Sequence, residues 1–126
     1  AITLHSFRKN KPQGHIALQS QQFVQIVELK DINYFKAVNV YTTVFLNGGM
    51  KVVTSKPLKY YEELLSGKTF LRIHQSYMVN ELYIHRYHMK EGILYLKDGT
   101  SLPVSLRKKK WLLSILKRVL CIGSSS

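Results

Sequence analysis

The chain is poor in several things that enzymes and secreted proteins rely on. Among 126 residues there is one cysteine, Cys121, which rules out an intramolecular disulfide and suits a reducing compartment. Three prolines and seven glycines are too few for a low-complexity or collagen-like segment. Acidic residues number only seven, so general acid–base chemistry has few candidates. Glu62-Glu63 fall on the exposed side of a short helical pattern and read as a solvated pair balancing Lys59 and Lys68. Asp31 and Asp98 stand at a strand start and in a turn, where aspartate has structural reasons to be. No nucleophile elbow, zinc-protease, phosphate-loop or dinucleotide fingerprint occurs. An enzyme is not expected. No apolar run approaches the roughly 18 residues of a membrane span, and the opening AITLH lacks the charged-then-apolar build of a secretory signal. The expected location is the cytoplasm.

What the chain has in excess is positive charge. Nineteen lysines and arginines give a formal charge of +12. The 45% hydrophobic content speaks for a folded core rather than a disordered basic tail. The length fits one domain, since single cores commonly span about 100–200 residues. So basic a domain repels itself unless a polyanion balances it, and nucleic acid is the first such partner. The alternative is a basic interaction module that docks on an anionic membrane or an acidic protein, which accounts for the charge equally well.

Segment by segment the pattern is mainly β. The basic stretch Ser6 to Gly14, carrying Pro12 and Gly14, reads as a linker, so residues 1–14 are assigned to an N-terminal extension. Residues 15–121 form the domain, and residues 122–126 a disordered tail. Runs rich in Val, Ile, Phe, Tyr and Thr from His15 to Thr54 predict strands, with a hairpin from Val40 to Thr54 around Asn47-Gly48-Gly49. Pro57 opens a helical period carried by Leu58, Tyr61, Leu64 and Leu65, which Gly67 can end. Phe70 to Ile73 reads as a strand. Ser76 to Asn80 fits a strand or a single helical turn. Two further strand runs follow, and Asp98-Gly99 marks another hairpin. After Ser105, a candidate N-cap, Leu106 to Leu120 contains neither proline nor glycine. Trp111, Leu112, Ile115, Leu116, Val119 and Leu120 make its apolar stripe, opposite Lys109, Lys110, Lys117 and Arg118. The fold class is therefore mainly β, of elongated antiparallel sheets, with a short middle helix and a C-terminal amphipathic helix.

Metal binding is disfavoured. His85 and His88, three apart in a strand, point to opposite faces, and neither His74 nor the single cysteine completes a ligand set. No cofactor is expected. Phe23, Tyr34, Phe35, Phe45, Phe70 and Trp111 sit among aliphatics and read as core rather than as stacking platforms. Two polar-basic clusters remain, Arg72 to Tyr77 and Ser105 to Lys110. Arginine matches guanine O6 and N7, and glutamine matches adenine N6 and N7. Lysine, serine and free backbone N–H groups hold phosphates. Consecutive bases Arg107 to Lys110 at a helix head oppose the macrodipole and one another, at about 0.3–1 kcal/mol for each unfavourable end charge. A sequence shaped only for stability would place acids there.

The order of motifs resembles the LytTR DNA-binding domain, the output module of LytR/AlgR-class two-component response regulators. The resemblance is carried by Val27 to Ala37 (VELKDINYFKA), the NGG hairpin, and Ser55-Lys56-Pro57-Leu58. It continues through Phe70 to Asn80 (FLRIHQSYMVN) and Leu96 to Arg107 (LKDGTSLPVSLR), and covers about His15 to Trp111. It implies a domain that enters DNA through loops, with members binding as pairs, as a dimer on promoter direct repeats, and bending the DNA. By motif position the base contacts would be Gln75, Arg107, Asn39 and Tyr41. Ser76, Ser105, Lys108, Lys110 and Thr42 would be phosphate or positioning contacts. Gln75 stands where the family often has Arg or Lys, which implies a shift from guanine to adenine there. The partners implied are double-stranded DNA and an N-terminal receiver or sensor domain outside this chain, with no membrane. The C-terminal helix runs beyond the family's usual core, and its stripe either covers the sheet or mediates dimerisation.

Overall fold

Strands form where β-branched and aromatic residues alternate, and every break between them has a turn residue behind it. The computed structural model describes residues 14–124, with side chains described as far as Arg118. The first half holds β1 (His15–Gln19), β2 (Val24–Glu28), β3 (Ile32–Val38), β4 (Tyr41–Leu46), β5 (Lys51–Thr54) and helix α1 (Leu58–Leu64). The second half holds β6 (Phe70–His74), β7 (Tyr77–Asn80), β8 (Ile84–His88), β9 (Ile93–Leu96), β10 (Ser101–Pro103) and helix α2 (Lys109–Ser124). All strand pairing among these residues is antiparallel, in a central sheet of order β5-β4-β3-β7-β6 flanked by the β1–β2 hairpin and a β10-β9-β8 sheet.

The central sheet is buried on both faces, and the period-2 alternation of its strands sorts side chains between two cores. Phe35, Val44 and Met78 point to one, closed by Ile16, Leu18 and Val27 of the β1–β2 hairpin and by Leu58 and Tyr61 of α1. Ile73 and Val79 point to the other, closed by Leu94, Leu96 and Leu102 of the three-stranded sheet and by Leu112 of α2. Each such side chain, once fully buried, contributes about 1.5–3 kcal/mol. Leu116 packs on the second core, so α2 covers the sheet as far as its side chains are described.

The expected hairpins form. Gly48 and Gly49 take φ +86° and +84° in the β4–β5 turn, a left-handed conformation that a Cβ would strain. The ambiguous Ser76–Asn80 stretch resolves as strand β7 from Tyr77 onward, with Ser76 in the turn before it, because the central sheet pairs it on both sides, with β3 and with β6. Two aromatics differ from expectation. Phe23 is 69% and Trp111 39% exposed, while Phe35 and Phe70 are core. Phe23 closes a turn beyond the hairpin's buried face, and Trp111 lies beside the Lys108 ammonium, 4.4 Å from its ring centroid. Glu62 also differs: it pairs with Arg72 rather than with Lys59 or Lys68. Helix α2 runs to Ser124, past the tail boundary expected at residue 122. Propagation gains a hydrogen bond per residue, neither Cys121 nor Ile122 interrupts it, and Gly123 falls only in the last turn. The linker assigned to residues 1–14 lies, except for Gly14, outside the described residues, as do residues 125–126 and the side chains of Val119 and Leu120.

Candidate nucleic-acid interface

Antiparallel pairing brings separate loops to one end of the central sheet. Lys36 of β3 lies opposite Tyr77 of β7, so β3 leaves the sheet where β7 enters it. The β3–β4 loop, Asn39-Val40, therefore neighbours the β6–β7 turn, Gln75-Ser76. The Ala37 N–H donates to the Ser76 carbonyl at 2.8 Å and joins them. A third segment arrives from the other sheet: the Ser105 N–H donates to the Ile73 carbonyl at 2.9 Å and pins the β10–α2 connection beside β6.

Gln75, Ser105, Arg107 and Lys108 meet around a cleft of about 490 Å³, with Arg72 and Glu62 in its wall. Gln75 is exposed, and its turn is held from behind. Arg72 donates from Nε to the His74 carbonyl at 2.8 Å, from Nη2 to the Gln75 carbonyl at 2.5 Å, and from Nη1 to Glu62 Oε1 at 2.5 Å. The Ser76 N–H donates to His74 Nδ1 at 3.0 Å. A register shift between Arg72 and His74 precedes the turn, a bulge of the kind that re-aims a side chain at a strand end. Arg72, which the sequence placed in a polar-basic cluster, is thus a holder of the turn rather than a free fork.

Arg107 is exposed within a short 3-10 turn, Leu106–Lys108, that precedes α2. Ser105 takes the N-cap position with no side-chain cap bond, so its hydroxyl is not committed to the helix. Lys110 is exposed on the first turn of α2. Asn39 stands at φ +58°, the sole non-glycine residue with positive φ among those described. Tyr41 is 46% exposed and lines a second cleft, of about 420 Å³, together with the β1–β2 turn. The structure therefore gathers Gln75, Arg107, Ser105 and Lys108 and sets Asn39 and Tyr41 beside them rather than among them. Thr42 differs from expectation. It is fully buried and its hydroxyl donates to the Lys56 carbonyl at 2.7 Å, so it braces the loop from inside instead of facing a ligand.

Two parts of this end were not legible from sequence. Glu62 reaches the cleft from α1, ten residues before Arg72, through tertiary packing that no local pattern announces. The β1–β2 turn reaches Tyr41 only through the placement of β1 beside β5. Among the described residues no group of three or more His, Cys, Asp or Glu is placed to hold a metal ion. No described helix is long and apolar enough to cross a membrane.

A strongly basic set of antiparallel sheets that presents glutamine and arginine on adjoining loops has the build of a nucleic-acid-binding module. Residues 22–117 match the family model of the LytTr DNA-binding domain, and the chain belongs to that family. The positive alginate biosynthesis regulatory protein of Pseudomonas aeruginosa is 32% identical over 101 residues, which cover 76% of this chain and 40% of that protein. The sensory transduction protein LytR of Staphylococcus haemolyticus is 27% identical over 77 residues, covering 61% of this chain and 30% of that protein. The chain thus spans less than half the length of either relative. Its fold is similar to a solved LytTr DNA-binding domain from Bacillus cereus, with a TM-score of 0.71 and 21% identity, covering 82% of this chain and 97% of that one.

Proposed function

We propose that this chain is the output module of a bacterial transcription regulator and reads promoter DNA through loops rather than through a recognition helix. The observation that carries the reading is the convergence of Gln75 and Arg107, from turns that adjoin two different sheets, on one cleft that also holds Ser105 and Lys108. Arg107 is suited to guanine and Gln75 to adenine, each in the major groove. Ser76, Ser105, Lys108 and Lys110 supply donors of the kind that hold phosphates and fix register. Asn39 and Tyr41 extend the contact along the same end of the sheet. The module has no reaction of its own in this reading and acts by placing its parent protein on DNA, where it recruits or blocks polymerase. A receiver or sensor domain elsewhere in the parent protein supplies the signal, and paired copies occupy direct repeats in the cytoplasm.

The rival reading, docking on an anionic membrane or an acidic protein, keeps the charge but gives no role to Gln75. Selection of duplexes from a random pool separates the two. Enrichment of spaced direct repeats that bind more tightly than scrambled duplexes supports the DNA reading. Equal binding to scrambled DNA and to anionic vesicles at matched salt rejects it.

A further inference from the structure

The β1–β2 hairpin is only partly accounted for by its role in the core. Ile16, Leu18 and Val27 face inward, but the turn that joins the strands lies at the end of the molecule that carries the Asn39–Tyr41 loop. The link is explicit. The Ser55 N–H and hydroxyl both donate to the Gln19 carbonyl, at 3.1 and 3.4 Å, and Ser55 follows directly on Thr54, which pairs with Thr42 of β4. The turn is prebuilt as well. The Ser20 N–H donates to the Phe23 carbonyl at 2.9 Å and Ser20 Oγ accepts from the Phe23 N–H at 3.2 Å. This leaves Gln21 and Gln22 exposed at the apex.

Beside that apex, Phe23, Tyr41 and Val53 line the open cleft of about 420 Å³, and no carboxylate among the described residues lines it. Sheet order sets the loops in a row: the β1–β2 turn by β5, then the β3–β4 loop, then the Gln75 turn, then Arg107 beside β6. Five strands at the usual spacing span about 19 Å, roughly half of the ~34 Å helical repeat of DNA. β1 and Gln21 precede residue 22, where the family match begins, while Gln22, Phe23 and β2 lie within it.

The geometry points to a fourth DNA contact, in which the side-chain amides of Gln21 and Gln22 hold the sugar-phosphate backbone just outside the base pairs met by the Asn39–Tyr41 loop. The inference rests on the DNA-reading function proposed above. Amide N–H groups donate to phosphate oxygens without requiring a particular base. Phe23 and Tyr41 offer apolar faces to deoxyribose, and the absence of carboxylates leaves the phosphates unrepelled. Continuity with Tyr41 and a net charge of +12 favour DNA over a protein partner at this cleft.

The test compares the chain with its Gln21→Ala/Gln22→Ala variant. Both are titrated by fluorescence anisotropy against a duplex enriched from a random pool, either full length or trimmed at one end by about half a helical turn, roughly five base pairs. The unaltered chain is expected to lose about ten- to a hundred-fold in affinity when one particular end is trimmed, the scale of a hydrogen bond to a charged phosphate oxygen. The variant is expected to bind both lengths alike, with the slope of log affinity against log salt unchanged, because uncharged amides displace no condensed cations. Gln21→Glu/Gln22→Glu, of equal size, is expected to lose more through repulsion by phosphate. A trimming penalty that persists in the alanine variant, or that is absent from the unaltered chain, overturns the fourth contact. If the unaltered chain binds enriched and scrambled duplexes equally, the DNA-reading function itself falls. Matching thermal melts of chain and variants keep a folding defect out of the comparison.

Discussion

The Arg72 guanidinium donates at 2.5 Å to the main-chain oxygen of Gln75, the residue it presents, while the same guanidinium is held at 2.5 Å by Glu62 of α1. A carboxylate in the wall of a cleft proposed to read DNA is costly, since it repels phosphate. Its pairing explains its presence: Glu62 orients Arg72, and Arg72 fixes the turn. Arg72→Ala is therefore expected to weaken binding to an enriched duplex by about 1.5–3 kcal/mol, the scale of a charge-assisted hydrogen bond. Binding to scrambled duplex should fall much less, and Arg72→Lys should restore little, because an ammonium cannot serve three acceptors in one plane. Equal losses on both duplexes in anisotropy titrations count against a positioning role and make Arg72 a phosphate contact.

Arg107 and Lys110 lie within one helical turn yet have different expected signatures. Arg107→Ala should cost about 1–3 kcal/mol on the enriched site and relax preference at one base position. Lys110→Ala should weaken all duplexes alike and reduce the magnitude of the salt slope by about 0.9. Competition against a panel of single-base variants at several salt concentrations reads both. A uniform loss for Arg107→Ala removes it from the base readers.

Asp98 ties the β9–β10 turn to the start of β3 by accepting from the Asn33 amide at 2.9 Å and from the Thr100 N–H at 2.9 Å. Burial alone pushes the Asp98 carboxyl up, but the hydrogen bonds from Thr100 and Asn33 outweigh it and hold the pKa below its ordinary value. A carboxyl depressed in the folded state stabilises the fold above its unfolded value, near 3.8, and that contribution is lost as pH falls through the folded value. Asp98→Asn should therefore lower the unfolding midpoint at neutral pH, and the gap should close below about pH 4. A gap that stays constant in denaturant melts across that range shows that the charge of Asp98 is not what stabilises the turn.

Much of this architecture is written locally. Asn47-Gly48-Gly49 and Asp98-Gly99 demand left-handed residues at single points, and both hairpins lie where those residues stand. The polar clusters around Gln75 and Arg107 were also visible, because their side-chain chemistry differs from the apolar runs beside them. What stayed hidden depends on which neighbour an element meets. Phe23 and Phe35 both follow aliphatic strand patterns, yet only Phe35 has a helix and a hairpin packed over it. Thr42 looks like a surface hydroxyl in a turn, and only the approach of Lys56 across the sheet end makes it interior. Ser76–Asn80 could be read two ways until β3 and β6 supplied ladders on both sides.

Asn80 shows how far one buried amide reaches. Fully buried, it donates from Nδ2 to the Ile32 carbonyl at 2.8 Å and accepts at Oδ1 from the Leu82 N–H at 3.0 Å, so it locks the end of β7 to the start of β3. Asn80→Ala removes the side-chain partner of both backbone groups, the buried Ile32 carbonyl and the partly buried Leu82 N–H. It is expected to destabilise the chain by about 2–4 kcal/mol, since each orphaned group costs about 1–3 kcal/mol. A change under about 0.5 kcal/mol in a urea titration, the level of an ordinary surface substitution, removes Asn80 from the residues that hold the sheet together.

Asn39 combines a backbone requirement with a proposed contact, and two substitutions pull these apart. At φ +58° asparagine is tolerated, glycine is unstrained and alanine is strained. Asn39→Gly should leave the melting temperature close to that of the unaltered chain, whereas Asn39→Ala should lower stability by about 1–2 kcal/mol. If the side chain meets DNA, both variants should lose affinity for the enriched duplex to a similar degree. If Asn39 serves only the turn, the glycine variant keeps full affinity and the alanine variant alone declines. Paired thermal melts and anisotropy titrations on the same two proteins therefore separate the loop's conformation from its chemistry.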